Sequence, residues 1–222
     1  MIDLHTHTTF TDGDLMPSEL IRRAEAKGYN YIAITDHGDP SNLDLIIPRI
    51  VETCRMLNRF NKVKAIPGIE LTHVPPDLIG DQAEKARQLG ARLILVHGET
   101  IVEPVAAGTN QKALEAPIDI LAHPGLISRS QVCLARDRGI ALEISGRSGH
   151  SLTNGHVAQL SREEGAKLTF GSDTHTPDNL TSFEQAQKIC LGAGMNNAET
   201  KILFDNAKEL ADNAIAKMNM KD

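Results

Sequence analysis

Histidines and carboxylates recur along the whole sequence, and most of them directly follow a short apolar segment. The first pair, His5 and His7, is spaced so that both side chains of an extended strand point to the same side and can share one ion. Neutral imidazole and carboxylate together suit zinc, iron or manganese. The candidate ligands are His5, His7, Asp12, His37, Glu70, His97, His123, Asp173 and His175. A set of this size predicts a site for two to three divalent transition-metal ions.

Each of these residues also has a plain structural interpretation. A single histidine at the end of a strand is more often a hydrogen-bonded structural residue than a ligand, and a lone His-x-His pair is a weak indicator of metal. Here histidines recur in corresponding places after successive strands, and a separate structural role for each of them does not explain that recurrence. Cysteine offers no competing site, since Cys54, Cys133 and Cys190 are far apart and form no Cys-x-x-Cys pair.

Short apolar segments are predicted to be strands, and amphipathic helices separate them. Gly28, Gly90, Gly139 and Gly165 precede four of these segments and suit the left-handed residue that follows a helix. Alternating strands and helices predict parallel strands with right-handed crossovers, in either an open doubly wound sheet or a barrel. The absence of a glycine-rich phosphate loop weakens the open nucleotide-binding version. The predicted strands lie near residues 2–5, 30–35, 63–70, 91–97, 118–122, 140–145 and 167–172.

All but the sixth of these predicted strands carry a histidine, aspartate or glutamate at the carboxyl end. Barrel enzymes build their active sites at that end, from loops held by a rigid scaffold. The stretch from about 179 to 222 is predicted to be helical, and no linker-like segment divides the chain. The sequence therefore predicts one domain over residues 1–222, in which the candidate ligands converge on one end of the sheet.

Composition limits the classes of partner. The 222 residues carry 23 basic and 29 acidic side chains, a net charge of −6, which argues against a broad basic surface for nucleic acid. Aromatic residues make up 3% and tryptophan is absent, so there is little sign of a platform that stacks single-stranded bases. No apolar run approaches the length that crosses a bilayer and no signal peptide is visible, so we expect no membrane partner and a cytoplasmic protein.

Several short motifs follow one another between residue 3 and about residue 178. They are His5-Thr6-His7, Thr11-Asp12-Gly13, Ile34-Thr35-Asp36-His37, Gly68-Ile69-Glu70, Ala122-His123-Pro124 and Gly171-Ser172-Asp173-Thr174-His175. Together they resemble the signature of the PHP (polymerase and histidinol phosphatase) superfamily, and the chain looks like its small stand-alone members labelled histidinol-phosphatase-like. The resemblance implies an α/β fold, a distorted (β/α)7 barrel of the PHP type with C-terminal helices. It also implies a metal-dependent phosphoric ester hydrolase.

The resemblance further implies how the ligands divide among three ions. The division is His5, His7, Glu70 and Asp173 for the first ion; Glu70, His97 and His123 for the second; and Asp12, His37 and His175 for the third. Glu70 would bridge the first two ions. The position of Asp12 can be histidine in other members, and a carboxylate there is compatible with metal binding.

Two further residues are candidates for binding the phosphate itself. Arg147 follows the sixth predicted strand and would reach the same face as the ligands, where its planar guanidinium suits a pair of phosphate oxygens. His150 would assist the phosphate or protonate a leaving group. A surface arginine and a structural histidine are the alternatives. For His73, His156 and the loop 98–110, the sequence likewise does not decide between a functional and a structural role.

The first functional hypothesis is a phosphomonoesterase that acts on a small phosphorylated metabolite. Closely spaced ions lower the pKa of a shared water and neutralise the entering and leaving oxygens, so hydroxide can attack without a protein nucleophile. The sequence accordingly has no G-x-S-x-G elbow. The alternatives are a phosphodiesterase or exonuclease, a metal-binding scaffold without turnover, and, more weakly, a deaminase or amidohydrolase on a similar barrel.

Overall fold

The strands of the computed structural model, which describes residues 1–219, form one parallel sheet. They run in the order β1-β2-β4-β5-β6-β7-β8, and the short β3 also pairs with β4. The strands are β1 Ile2–Asp3, β2 Tyr31–Ile34, β3 His37–Gly38, β4 Lys64–Leu71, β5 Leu93–His97, β6 Ile120–Ala122, β7 Ala141–Ser145 and β8 Leu168–Gly171. The predicted strands thus correspond to β1, β2 and β4 to β8, while β3 was not predicted. The predicted domain boundary at residue 222 lies outside the described residues.

The two edges of the sheet meet beyond the carboxyl ends of β1 and β8. The amide of Asp173 donates to the carbonyl of His5 at 2.9 Å, and the amide of His7 donates to the carbonyl of Thr174 at 2.8 Å. Thr6 and Thr174 form a parallel bridge between these hydrogen bonds. The ring of strands therefore closes just beyond β1 and β8, where each strand is followed by two candidate ligands. The predicted distorted (β/α)7 barrel is confirmed.

Helices connect the strands and form the outer layer. Pro17 is the first residue of its helix, and the helix predicted near 43–58 spans Leu43–Leu57. The glycines at 28, 90, 139 and 165 all have positive φ, as their place after a helix predicts. The helices are α1 Pro17–Ala26, α2 Leu43–Leu57, α3 Ile79–Gln88, α4 Thr109–Glu115, α5 Arg129–Arg138, α6 Asn154–Glu164, α7 Phe183–Gly192 and α8 Asn197–Asn219. Within residues 1–219, no helix combines the length and the apolar character needed to cross a membrane.

The interior of the barrel is a separate apolar cluster, and α8 belongs to it. Inward-facing side chains such as Leu4 and Leu95 pack there with Ala207, Ala211 and Ala214 of α8. The hydroxyl of Tyr31 donates to Asp212 at 2.6 Å, which ties α8 to the first residue of β2. The helix therefore covers the amino ends of the strands, while the carboxyl ends stay free for the candidate ligands.

Candidate metal centre

Seven of the nine predicted ligands line one cavity of about 230 Å³ at the carboxyl ends of the strands. The other two, His5 and His7, do not line it but contact Glu70 and Asp173, which do. Each of the nine stands at the carboxyl end of a strand or in the segment that follows, and β1 and β8 are each followed by more than one of them, as the barrel geometry allows. The buried members are His5, His7, Glu70, His97, His123, Asp173 and His175. His37 is partly exposed and Asp12 is the most open of the set, with 55% of its side chain exposed. Whether these side chains bind metal stays a prediction.

Glu70 lies at the centre of the cluster. Its Oε1 is 3.3 Å from Nε2 of His5 and 3.3 Å from Nε2 of His123. Its Oε2 is 2.9 Å from Nδ1 of His37. Because one carboxylate reaches residues that the family resemblance assigns to three different ions, its position suits a bridging ligand.

The group around Asp12 includes one residue more than the family resemblance implies. The two oxygens of Asp12 lie 3.3 Å from Nε2 of His37 and 3.3 Å from Nε2 of His175. The ring of His7 lies 4.2 Å from each of those two rings. Candidate ligand atoms of all four residues fall within 4.8 Å of one another. His7 therefore stands between two ligand groups, whereas the resemblance assigns it to the first ion alone.

Buried atoms without a hydrogen-bond partner show that the cluster fits a cation. Among the described residues, Nε2 of His5, Nε2 of His7 and Oε1 of Glu70 are buried and lack such a partner. An unpaired buried nitrogen or carboxylate oxygen is costly and is normally satisfied. Imidazole and carboxylate donors at these positions form the donor set that zinc, manganese and iron accept.

Burial and neighbouring charge act in opposite directions on these groups. Burial disfavours the charged forms of His5 and His37, yet nearby carboxylates outweigh it. Glu143, Glu70 and Asp173 raise the pKa of His5 well above its ordinary value, and Asp12 and Glu70 raise the pKa of His37 to about 10. For His7 burial prevails and lowers the pKa to about 3. Burial would raise the pKa of Glu70, but the surrounding histidines hold it well below its usual range.

Two candidate ligands adopt left-handed backbone conformations. His123 has φ of 25° and Asp173 has φ of 53°. This conformation is strained for a residue with a Cβ, and such strain is concentrated at functional sites. His123 directly follows β6 and Asp173 is the second residue after β8, and both side chains line the cavity.

Glu143 is a contributor that the sequence did not reveal. The sixth predicted strand was expected to carry no ligand, yet Oε2 of Glu143 lies 2.6 Å from Nδ1 of His5. This bond fixes the ring so that Nε2 faces Glu70, an arrangement that commonly orients histidine ligands. A charged residue between the buried Leu142 and Ile144 of an apolar strand was the available signal, because a buried carboxylate needs a partner.

The two predicted phosphate-binding residues both border the cavity. Arg147 is half-buried, donates to the carbonyl of Asp173 at 3.2 Å and contacts Nδ1 of His175. His150 is buried, and its ring stacks on that of His123 at 4.1 Å. The position of His150 suits a metal ligand as well as a phosphate contact.

The sequence did not decide the roles of His73, His156 and the loop 98–110. In the structure, some of these residues border the cavity and others make structural contacts. His73 is exposed and borders the cavity, with its ring 5.3 Å from that of His97. His156 lies in the first turn of α6 and pairs through Nε2 with the carbonyl of Ile127 at 2.7 Å, a structural contact.

In the loop 98–110, Asn110 is buried and donates to the carbonyl of Pro124. Its side-chain oxygen accepts from the amide of Glu99 at 2.9 Å, so Asn110 anchors the loop.

Comparison with known proteins identifies the family. The family model of the PHP domain matches residues 3–164, which is more than half of the chain, and the chain therefore belongs to this family. An uncharacterized protein of Methanocaldococcus jannaschii is 44% identical over 211 residues, covering 94% of this chain and 97% of the relative. A protein of Aeromonas hydrophila named as a probable phosphatase is 26% identical over 238 residues, covering 95% of this chain and 92% of the relative.

Solved structures share the fold. A chain in the cryo-EM structure of archaeal ribonuclease P with mature tRNA matches with a TM-score of 0.75 at 17% identity, covering 100% of this chain and 94% of that one. Histidinol phosphate phosphatase from Lactococcus lactis, complexed with zinc, L-histidinol and phosphate, matches with a TM-score of 0.56 at 17% identity. That match covers 88% of this chain and 94% of the other. At such identities the likeness shows the fold alone.

Proposed function

We propose that this protein is a metal-dependent phosphoester hydrolase, and that its substrate is a small phosphorylated metabolite cleaved as a monoester. The observation that carries the proposal is the convergence of seven of the nine predicted ligands and Arg147 on one cavity. The probable-phosphatase name of a relative with matching length supports the reaction class. Zinc, manganese or iron would be held by the histidines and carboxylates described above, and a cytoplasmic location is part of the proposal.

Charge explains why an anionic substrate would enter an acidic protein. Three divalent ions would bring about +6 and Arg147 about +1, while Asp12, Glu70, Glu103, Glu143 and Asp173 bring about −5, so the site would carry about +2. The chain as a whole carries −6. A cavity of about 230 Å³ with that local charge would draw a phosphate group with a small alcohol attached.

The proposed roles of the residues follow from their contacts. When bound, such ions activate water, orient the phosphoryl group and neutralise the entering and leaving oxygens. Glu70 and Asp173 hold the histidines of neighbouring strands in a fixed arrangement. Glu143 fixes the ring of His5 from behind. Arg147 would donate to phosphate oxygens, since its guanidinium stands at the edge of the same cavity.

The test compares monoester and diester cleavage in the wild type and in Arg147→Ala, after chelation and reloading with zinc, manganese or iron. A monoester dianion offers one more free oxygen than a diester, so it gains more from the guanidinium. Losing a charge-assisted hydrogen bond costs about 1.5–3 kcal/mol, and kcat/KM for monoesters should fall about ten- to hundredfold. Diester cleavage should fall less, and the metal content should be unchanged.

Arg22→Ala is the matched control, because Arg22 is exposed and its salt bridge is with Glu25. A reloaded wild type without activity on any ester would refute the proposed function in favour of a metal-binding scaffold. A wild type that prefers oligonucleotides would favour the exonuclease alternative. An equal loss on both ester classes would remove Arg147 as the determinant of monoester preference.

A further inference from the structure

A glutamate outside the predicted ligand set reaches into the cavity. Glu103 belongs to the irregular loop between β5 and α4, and its side chain is 36% exposed. Its Oε2 lies 3.0 Å from Nε2 of His97, and its Oε1 lies 3.5 Å from Nε2 of His150. Oε2 is also 4.0 Å from Nε2 of His73. One carboxylate therefore contacts histidines from three separate segments of the chain.

These separations fit side chains that share an ion. Two ligand atoms bound to one ion at about 2.0–2.2 Å lie roughly 3–3.5 Å apart at tetrahedral or octahedral angles. The distances from Glu103 to His97 and to His150 fall in this interval. Nitrogen atoms of His97, His123 and His150 also fall within 4.8 Å of one another.

His150 is held in the orientation that a ligand needs. Its Nδ1 pairs with Oγ1 of Thr100 at 2.8 Å, and its ring stacks on that of His123 at an interplanar angle of 16°. Histidine ligands commonly use the second ring nitrogen for such a bond, which fixes the tautomer and leaves Nε2 for the ion. Nε2 of His150 faces Glu103 and also lies 3.7 Å from Oδ2 of Asp173.

Glu103 differs from the other carboxylates of the site in how it is supported. Glu70 extends from a paired strand and is fully buried, whereas Glu103 lies in a loop whose middle residues are mostly exposed. Two anchors hold the ends of this loop. Glu99 accepts from the amides of Gly108 and Asn110, at 3.1 and 2.8 Å. A shift of the middle of this loop would therefore move Glu103 without moving the strands.

We propose that His150 and Glu103 complete the coordination sphere of the ion held by His97 and His123, with His150 as a permanent ligand and Glu103 as an exchangeable one. A carboxylate and a phosphate both offer anionic oxygens, so an incoming phosphate would displace Glu103. This second step rests on the proposed function, whereas the coordination does not. His150 thereby takes a place in the metal centre instead of a direct role in protonating the leaving group.

Zinc titration of the chelated protein, in competition with a chromophoric chelator, tests the coordination. His150→Ala should weaken the binding of one ion at least tenfold and leave the others unchanged. Glu103→Ala should weaken the same ion by less, since water can fill the open position. His156→Ala and Glu115→Ala are the controls, because His156 pairs with a backbone carbonyl and Glu115 is exposed. Thermal melting of each metal-free variant checks that the fold is kept.

Calorimetric titration of inorganic phosphate into the zinc-loaded protein tests the displacement. Glu103→Ala should bind phosphate about tenfold more tightly than the wild type, because no carboxylate has to leave. His150→Ala variants that bind every ion as the wild type does would refute the coordination. Equal or weaker phosphate binding in Glu103→Ala would refute the displacement. Absence of ester hydrolysis in the wild type would refute the proposed function but would leave the zinc titration decisive for His150 and Glu103.

Discussion

The imidazoles of the cavity differ in their readiness to bind a metal ion. Burial keeps His7 neutral and lowers its pKa to about 3, so its nitrogen is available at pH 7. The carboxylates around His5, His37 and His123 outweigh burial and raise the pKa of each ring. In the metal-free protein the rings of His5 and His37 hold protons at neutral pH, and a metal ion must displace those protons to bind.

We therefore expect metal loading at pH 7 to release about two protons per chain. Because the pKa of His37 is raised to about 10, the apparent metal affinity should continue to rise between pH 7 and pH 9. Ordinary histidines, with a pKa near 6.5, would give an affinity that levels off above pH 7. Calorimetric titration in buffers with different ionisation enthalpies measures the number of protons released. Heats that do not depend on the buffer would contradict this expectation.

Among the secondary-structure elements, the glycines after helices show how the chain makes each turn from helix to strand. Gly139 follows α5 with φ of 69°, and an added Cβ there would meet no atom within 4 Å. Any cost of a side chain at this position is therefore conformational. Gly80 also has open space around its Cβ position, but it lies within α3 and has no positive φ.

Alanine substitutions at these two glycines should have opposite effects on stability. Gly139→Ala forces a Cβ into the left-handed region and should lower the free energy of unfolding by about 1–2 kcal/mol. Gly80→Ala should raise it by about 0.4–1 kcal/mol, because alanine restricts the unfolded chain and suits a helix. Urea denaturation of both metal-free variants measures the difference. Changes of the same sign would show that backbone conformation does not govern these positions.

The secondary-structure elements also show which parts of the site could be predicted from sequence patterns. Ligands at strand ends follow from the alternation of strands and helices, because parallel strands bring their carboxyl ends together. Glu103 could not be predicted in this way. Its loop has no periodicity, and its path is set by distant contacts such as that between Asn110 and the carbonyl of Pro124. The short β3 was missed because two paired residues leave no pattern.

At the scale of the whole molecule, the barrel is completed by the part of the chain that follows the family match. The PHP match ends at residue 164, yet β8, Asp173, His175 and α8 all follow it. β8 closes the ring against the first strand, and α8 covers the amino ends of the strands from below. Small side chains at Ala207, Ala211 and Ala214 let the helix approach the barrel closely, so this contact supports the candidate metal centre from the opposite end.

Ala211→Leu should therefore destabilise the whole barrel although it lies far from the cavity. Ala211 is fully buried in the inner cluster, and extra methylene groups in a packed core cost about 1–3 kcal/mol. For a domain of this size each kcal/mol lowers Tm by about 2–4 °C. Ala216→Leu is the matched control, because Ala216 belongs to the same helix and is exposed. Thermal melting of the metal-free variants should separate the two, and equal Tm values would show that α8 is not packed into the barrel.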